Sequence, residues 1–186
     1  MRKDLGVKPI IYPQPVFIIA TYDENGKPDA MNAAWGGLSD NDQISICCSA
    51  SHRTTKNILA RKAFTVSMAT ASQVTACDYV GIVSGDKEPD KIEKSGFHVT
   101  RSAKVDAPVI DELPLTFECE LISFEADYPR LIGRIVNVSA DESILKENGK
   151  IDVEKLDPIT FDGSNNVYYR LGEIAGEAFK CGAVLK

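Results

Sequence analysis

Residues 51–57 carry the side-chain types that bind a phosphate group. They read Ser-His-Arg-Thr-Thr-Lys-Asn, so hydroxyl, imidazole, guanidinium and ammonium groups lie close together. The apolar residues that follow at 58–60 predict a helix beginning near Ser51 or His52. Unpaired backbone N–H groups and the positive end of the helix dipole favour an anion at such a start. An ordinary capped helix with a solvated face is the alternative, since Ser and Thr caps are common.

A second candidate is the tetrapeptide Asn32-Ala33-Ala34-Trp35, which joins a side-chain amide, two small residues and the only tryptophan of the chain. Small side chains would let a flat ring approach the backbone, whose amides would bond its heteroatoms. Trp35 would then form a wall of the pocket. The alternative is a strand whose small residues pack on a neighbour and whose tryptophan fills the core.

A third candidate is the polar loop at 84–89, which runs into a short helix expected at 90–95 and stopped by Gly96. Ser84, Gly85, Asp90 and Lys91 would close over a ligand or its phosphate from this side. A solvated surface loop is the alternative.

Histidines and cysteines give no pattern for other chemistry. His52 and His98 lack metal-ligand spacing, and the five cysteines include no CxxC, so we expect neither a metal site nor a disulfide scaffold. Cys48 and His52 suggest a Cys/His hydrolase, but an apolar strand around Cys47 and Cys48 favours buried, inert thiols. GxSxG and P-loop motifs are missing, and no acid–base pair is found, so we assign no catalytic residue.

The elements that must position these candidates are mostly strands. Apolar patterns predict about six strands, with an Asn-Gly hairpin turn at 25–26 between the first two. They are expected at 15–22, 28–35, 43–50, 64–69, 115–126 and 131–140, with a short late strand at 168–172. Turns are expected at Gly36-Gly37 and 39–42. Helices are expected from 51 or 52 to 62 and at 72–83.

Hairpin-joined strands with short helices between them favour an antiparallel β-barrel over parallel βαβ units. The length of 186 residues and the hydrophobic content of 44% suit one globular domain over 1–186. A net charge of −6 argues against a nucleic-acid binder. No apolar run reaches the roughly 20 residues of a membrane helix, and the N-terminus is unlike a signal peptide. We therefore expect a cytoplasmic protein without a membrane partner.

The order of features over residues 21–70 resembles the flavin reductase-like family, whose members bind FMN in a split β-barrel. The shared pattern is a hairpin with an Asn-rich strand end, a barrel strand, a hydroxyl- and cation-rich helix start, and a strand like Phe-Thr-Val-Ser-Met. Residues 80–97 and 167–179 also resemble this family, especially its flavoredoxin branch. The resemblance therefore covers nearly the whole chain.

This resemblance implies a mainly β fold, an antiparallel Greek-key split barrel with short helices. It also implies a homodimer with one FMN per subunit near the interface. The isoalloxazine would be lined by Asn32, Ala33, Ala34 and Trp35. The ribityl chain and phosphate would be held by Ser49, Ala50 and Ser51, and the phosphate end completed by His52, Arg53, Thr54, Thr55 and Asn57. The later loop would contribute Ser84, Gly85, Asp90 and Lys91.

The resemblance further implies an oxidoreductase that passes electrons from NAD(P)H through FMN to a flavin, metal or protein acceptor. Because the flavin stores the electrons, no acid–base pair is required. Without a Rossmann fingerprint, the nicotinamide would stack directly on the flavin. Two alternatives stay open: a non-catalytic flavoredoxin-like electron-transfer protein, and a dimeric barrel that binds another ligand or none.

The end of the chain supports the expected homodimer. From residue 168 onward it is too apolar for a solvent-facing tail, and exposed apolar patches usually mark interfaces. The apolar side chains concerned are Tyr168, Leu171, Ile174, Ala178, Phe179, Val184 and Leu185.

Overall fold

The computed structural model describes residues 1–186 and contains eleven strands and four α-helices. The strands are β1 Phe17–Tyr22, β2 Pro28–Ala33, β3 Gly36–Asp40, β4 Gln43–Cys47, β5 Ala63–Met68, β6 Val99–Arg101, β7 Pro108–Ile110, β8 Leu115–Glu125, β9 Arg130–Ala140, β10 Ile159–Asp162 and β11 Val167–Arg170. The helices are α1 Arg53–Arg61, α2 Val74–Ile82, α3 Lys91–Ser95 and α4 Val153–Leu156.

Seven strands form one antiparallel sheet in the order β2-β1-β5-β8-β9-β4-β3. This sheet curls into a half-barrel, which confirms the expected split-barrel fold class. Two small antiparallel pairs, β6 with β7 and β10 with β11, lie outside it. Strand β11 confirms the short late strand expected at 168–172. Strands β6, β7 and β10 were not expected from the sequence, because strands of three or four residues are too short to show a periodic pattern.

Strand β1, between β2 and β5, is buried on both faces, as its continuous apolar run predicts. Its alternate side chains point to opposite sides of the sheet. Ile18 and Ala20 pack with Val80 of α2 in one apolar cluster. Phe17 and Ile19 pack with residues of the half-barrel interior, among them Phe64, in a second cluster. The two cores therefore share β1.

Helix α1 begins and ends where the sequence predicts. Its first turn contains no acidic residue, and Arg61 places a cation in the last turn, where the dipole favours it. Ile58 is buried in the half-barrel cluster and anchors the helix to the sheet. Lys62 takes the left-handed conformation at φ 63° and donates its backbone N–H to the Ile58 carbonyl, which ends the helix.

The turn expected at Gly36-Gly37 is wrong, because these residues begin strand β3. Glycine has low strand propensity, but here its missing side chain is required. A Cβ atom on Gly36 would lie 2.8 Å from the Ser45 carbonyl oxygen and 3.1 Å from the Phe17 ring. At Gly36, strand β3 therefore lies close both to the backbone of β4 and to the Phe17 ring.

Strands β2 and β4 end earlier than predicted. β2 stops at Ala33 instead of residue 35, and β4 stops at Cys47 instead of residue 50. The segments 34–35 and 48–52 therefore form the irregular connections into β3 and α1. Most of the site residues expected from the sequence lie in or beside these two connections.

Candidate functional site

The start of α1 presents free hydrogen-bond donors. The first helical bond is donated by the Lys56 N–H to the His52 carbonyl at 3.1 Å. The backbone N–H groups of Arg53, Thr54 and Thr55 precede it and have no acceptor within the chain. The His52 side chain does not cap the helix. Three donors at the positive end of the dipole are therefore available to an anion.

The connection into α1 brings two serine hydroxyls beside these donors. Ser49 Oγ and Ser51 Oγ lie 2.8 Å apart, and the Ser51 N–H donates to Ser49 Oγ at 3.2 Å. The His52 N–H donates to the Ser49 carbonyl at 3.2 Å, which closes the turn. Ala50, Ser51 and His52 are exposed. This turn thus adds hydroxyl donors where the sequence predicts a ribityl and phosphate site.

Arg53 is committed to partners within the protein. Its Nη2 donates to Asp23 Oδ2 at 2.8 Å, and its Nη1 donates to the Gly85 carbonyl at 2.7 Å. Although burial opposes ionisation of Asp23, backbone N–H groups of Lys27 and Asn25 and the Arg53 guanidinium together hold its pKa below the usual value. The Arg53 charge is therefore balanced by a carboxylate, and its side chain ties α1 to the loop at 84–86.

A buried group of three side chains lies behind the start of α1. Thr54 Oγ1 donates to Asp29 Oδ2 at 2.6 Å. Lys91 Nζ lies 3.2 Å from Asp29 Oδ1, and both side chains are 4% exposed. The same ammonium donates to the carbonyls of Val80 and Val83, at 3.4 and 3.2 Å, near the end of α2. Lys91 therefore joins β2, α2 and α3.

A cavity of about 240 Å³ opens between β2, α1 and the segment after α2. It brings together residues that lie far apart in the sequence. Those predicted for the site that line it are Asn32, His52, Arg53, Thr54, Ser84, Gly85 and Lys91. Arg53 and Thr54, two of the three residues with free N–H groups at the start of α1, thus line one cavity with Asn32.

Ala34 and Trp35 line a different space, an apolar cleft of about 420 Å³ closed on its other side by the N-terminal segment, including Ile10 and Pro13. Trp35 is 53% exposed there, so it does not fill the core. Ala33 is 8% exposed and packs in the half-barrel cluster. The side chain of Ala33 is therefore not available to a ligand, and only its backbone could contact a ring that lies along residues 32–35.

Two further side chains near α1 keep unpaired polar atoms. Thr55 Oγ1 and Asn57 Nδ2 are buried and have no hydrogen-bond partner. Buried polar atoms of this kind are rare and call for a ligand or an ordered water. The structure places both on the helix that carries the free N–H groups.

Asp90 does not join the residues around the cavity. Its carboxylate is 56% exposed and lies 2.5 Å from Lys27 Nζ, and neither residue lines the cavity. Gly85 is positioned closely, since a Cβ atom there would lie 2.5 Å from Asp29 Oδ1. The loop at 84–91 therefore reaches the cavity through Ser84, Gly85 and Lys91.

The cysteines are free, and three of them are unreactive by their environment. Burial raises the pKa of Cys48, Cys77 and Cys119 to about 12. Cys48 is 2% exposed, so its thiol is not accessible to a substrate, which argues against a Cys48/His52 hydrolase.

A model of the flavin reductase-like domain matches residues 10–165. The chain belongs to the flavin reductase-like family. None of its helices combines the length and hydropathy that crossing a lipid bilayer requires.

Solved structures of this family resemble the chain over its whole length. The flavoredoxin of Desulfovibrio vulgaris (Miyazaki F) is 36% identical, with a TM-score of 0.94 over 98% of this chain and 100% of that one. The flavoredoxin of Methanosarcina acetivorans is 28% identical, with a TM-score of 0.87 over all of both chains. An uncharacterized protein of Aquifex aeolicus (strain VF5) is 24% identical over 88% of each chain.

Sequence reasoning missed the residues that hold the cavity-lining side chains in place. Asp23 and Asp29 neutralise Arg53 and Lys91, and Gly81 lets α2 approach β2. One signal was available for Asp29, which is a carboxylate in a strand otherwise rich in small and apolar residues. Buried carboxylates need a cationic partner, and such a partner can come from anywhere in the chain.

Proposed function

We propose that this protein binds FMN and acts as a flavin reductase-like oxidoreductase. It would take electrons from NAD(P)H and pass them to a flavin, metal or protein acceptor. The observation that carries the proposal is the cavity shared by the start of α1 and Asn32. It is lined by Arg53 and Thr54, which belong to the three residues with free N–H groups, and by the side-chain amide of Asn32, which is followed by small residues.

The donors present fit the phosphate of FMN. Asp23 and Asp29 already balance the charges of Arg53 and Lys91. The phosphate would therefore be held chiefly by the backbone N–H groups at 53–55, with the hydroxyls of Ser49 and Ser51 beside them. Such groups bind anions at helix starts without a free cation.

The flat ring would lie along residues 32–35, which run between the cavity and the apolar cleft. Bound FMN would supply storage of two electrons and acceptance of hydride. The chain's own residues bind it, orient it and shield one side from water.

We further propose a homodimer whose interface covers the C-terminal tail. All residues at 171–186 are exposed in the single chain. Ile174 is 85% exposed, Phe179 106% and Leu185 89%. Apolar side chains exposed to this extent are typical of an interface with a partner, and two-fold dimers are the commonest closed assembly.

An electron carrier without turnover of its own is the second candidate. The similarity to a flavoredoxin over 98% of this chain and 100% of that one favours it. Such a protein would exchange electrons with protein partners and would not use NAD(P)H directly.

Absorbance spectra separate these functions. The purified protein, reconstituted with FMN, is measured before and after anaerobic addition of NADH or NADPH. Loss of the oxidised-flavin bands with either nucleotide, and turnover with added flavin or ferric iron, support the oxidoreductase. Bleaching by dithionite alone supports the carrier. A protein that takes up no FMN would contradict both.

A further inference from the structure

The Asn32 amide is held in one orientation by helix α2. Its Nδ2 donates to the Cys77 carbonyl at 3.1 Å. Because a carbonyl oxygen only accepts hydrogen bonds, this contact fixes which end of the amide faces the helix. Gly81 makes the approach possible, since a Cβ atom there would lie 2.7 Å from the Asn32 Cβ.

The β10–β11 hairpin provides a second support. The Tyr168 hydroxyl donates to Asp78 Oδ1 at 2.8 Å. Burial raises the pKa of Tyr168, and the adjacent Asp78 carboxylate raises it further, so the phenol stays protonated at neutral pH. Asp78 directly follows Cys77, whose carbonyl accepts from the Asn32 amide, so the Tyr168 hydrogen bond holds this part of α2 in place next to Asn32.

The other end of the amide remains free. Asn32 Oδ1 accepts no hydrogen bond, and it is not among the buried unpaired polar atoms, so it is accessible. Asn32 lines the cavity beside the start of α1. The group presented to a ligand is therefore a hydrogen-bond acceptor and not a donor.

We propose that Asn32 selects the N–H-bearing edge of the bound ring, and that Tyr168 and Asp78 are positioning residues that keep Oδ1 turned to the cavity. This inference rests on the proposed binding of FMN. Oxidised isoalloxazine carries one ring N–H, at N3, next to two carbonyl groups. Asn32 Oδ1 accepts from this N–H, and an amide turned the other way would instead meet the ring carbonyls.

N3-methyl FMN tests the proposal, because it keeps the phosphate and ribityl chain but lacks the N3 proton. Apoprotein is titrated with FMN and with N3-methyl FMN, and the ratio of the two dissociation constants is measured. In the complex with N3-methyl FMN, the ring would cover Asn32 Oδ1 without donating a hydrogen bond to it. We therefore expect the wild-type protein to bind N3-methyl FMN about tenfold more weakly than FMN. Asn32→Ala should reduce this ratio toward one.

Tyr168→Phe tests the positioning role, and Tyr169→Phe is its matched control. Tyr169 is the next residue on β11, is 55% exposed and makes no side-chain hydrogen bond, since the bond to Asp78 belongs to Tyr168. We expect Tyr168→Phe to lower the ratio and Tyr169→Phe to leave it at the wild-type value. A purely structural role for Tyr168 would weaken both flavins equally and leave the ratio unchanged.

The outcomes separate this inference from the proposed function. Failure of FMN itself to bind would overturn the proposed function. Tight binding of FMN with a wild-type ratio of one would overturn the role of Asn32 alone. A ratio that persists in Asn32→Ala would also overturn it, because the methyl group would then be excluded by another residue. If Asn32→Ala reduces the ratio but Tyr168→Phe keeps the wild-type value, Asn32 binds the N3 proton and Tyr168 has no positioning role.

Discussion

Asp23 anchors both ends of helix α1 through two arginines. Arg53 in the first turn pairs with its carboxylate at 2.8 Å, and Arg61 in the last turn donates to its backbone carbonyl at 3.0 and 2.6 Å. The β1–β2 turn therefore holds the helix whose first turn lines the cavity. Arg53 extends this linkage to the loop at 84–86 through Gly85.

Replacing Arg53 by alanine should weaken binding of FMN and of riboflavin by the same factor, about tenfold. The guanidinium acts through Asp23 and Gly85, so its loss displaces the loop and not a phosphate contact. Titration of both flavins into apoprotein measures this, with Lys104→Ala as a control for loss of an exposed charge. A loss confined to FMN would show that Arg53 binds the phosphate directly.

The ion pair should stabilise the fold in a pH-dependent way. The pKa of Asp23 is lowered in the folded state, so its contribution is complete above the ordinary value of 3.8 and is lost as the pH falls through the folded value. The free energy of unfolding of the wild-type protein should therefore exceed that of Asp23→Asn at neutral pH. The difference should shrink toward about pH 3. A difference that is constant with pH would contradict the assignment.

Lys91→Met should destabilise the protein by about 3–5 kcal/mol, because it leaves the buried Asp29 carboxylate without a cationic partner. The double variant Asp29→Asn/Lys91→Met should recover part of this loss, since it removes both charges. Urea denaturation of the wild-type protein, the single variants and the double variant gives the coupling. A double variant no more stable than Lys91→Met would mean that the two side chains do not interact across their 3.2 Å contact.

Deleting the residues after Gly172 should abolish dimerisation and reduce flavin retention together. The removed segment carries Ile174, Phe179, Val184 and Leu185, all more than four-fifths exposed in the single chain. Light scattering gives the mass, and absorbance gives the flavin content of the same sample. A truncated monomer that holds FMN at full occupancy would show that the interface takes no part in the pocket.

Local patterns were enough to predict the parts of the fold that bury continuous apolar runs. The β1 strand and the start of α1 were predicted because apolar periodicity and the change to Ser and Thr are visible within a few residues. Strand β3 was missed because Gly36 is required by a contact with Ser45 and Phe17, not by its own propensity. Tertiary packing of this kind leaves no local signal.

The candidate site shows the same division. Residues at the start of α1 were predicted from their own chemistry, and the structure places Asn32 and Ser84 beside them. The sequence could not indicate that Arg53 forms an ion pair with Asp23 and that Lys91 forms one with Asp29. Nor could it separate Lys91, which lines the cavity, from its neighbour Asp90, which faces Lys27.

The most direct test of a phosphate site at the start of α1 is the affinity of apoprotein for FMN compared with riboflavin. The two differ only in the phosphate, and its charge-assisted bonds should contribute about 1.5–3 kcal/mol. FMN should therefore bind about one to two orders of magnitude more tightly. Equal dissociation constants for the two flavins would contradict the account, because the free N–H groups at 53–55 would then bind no phosphate.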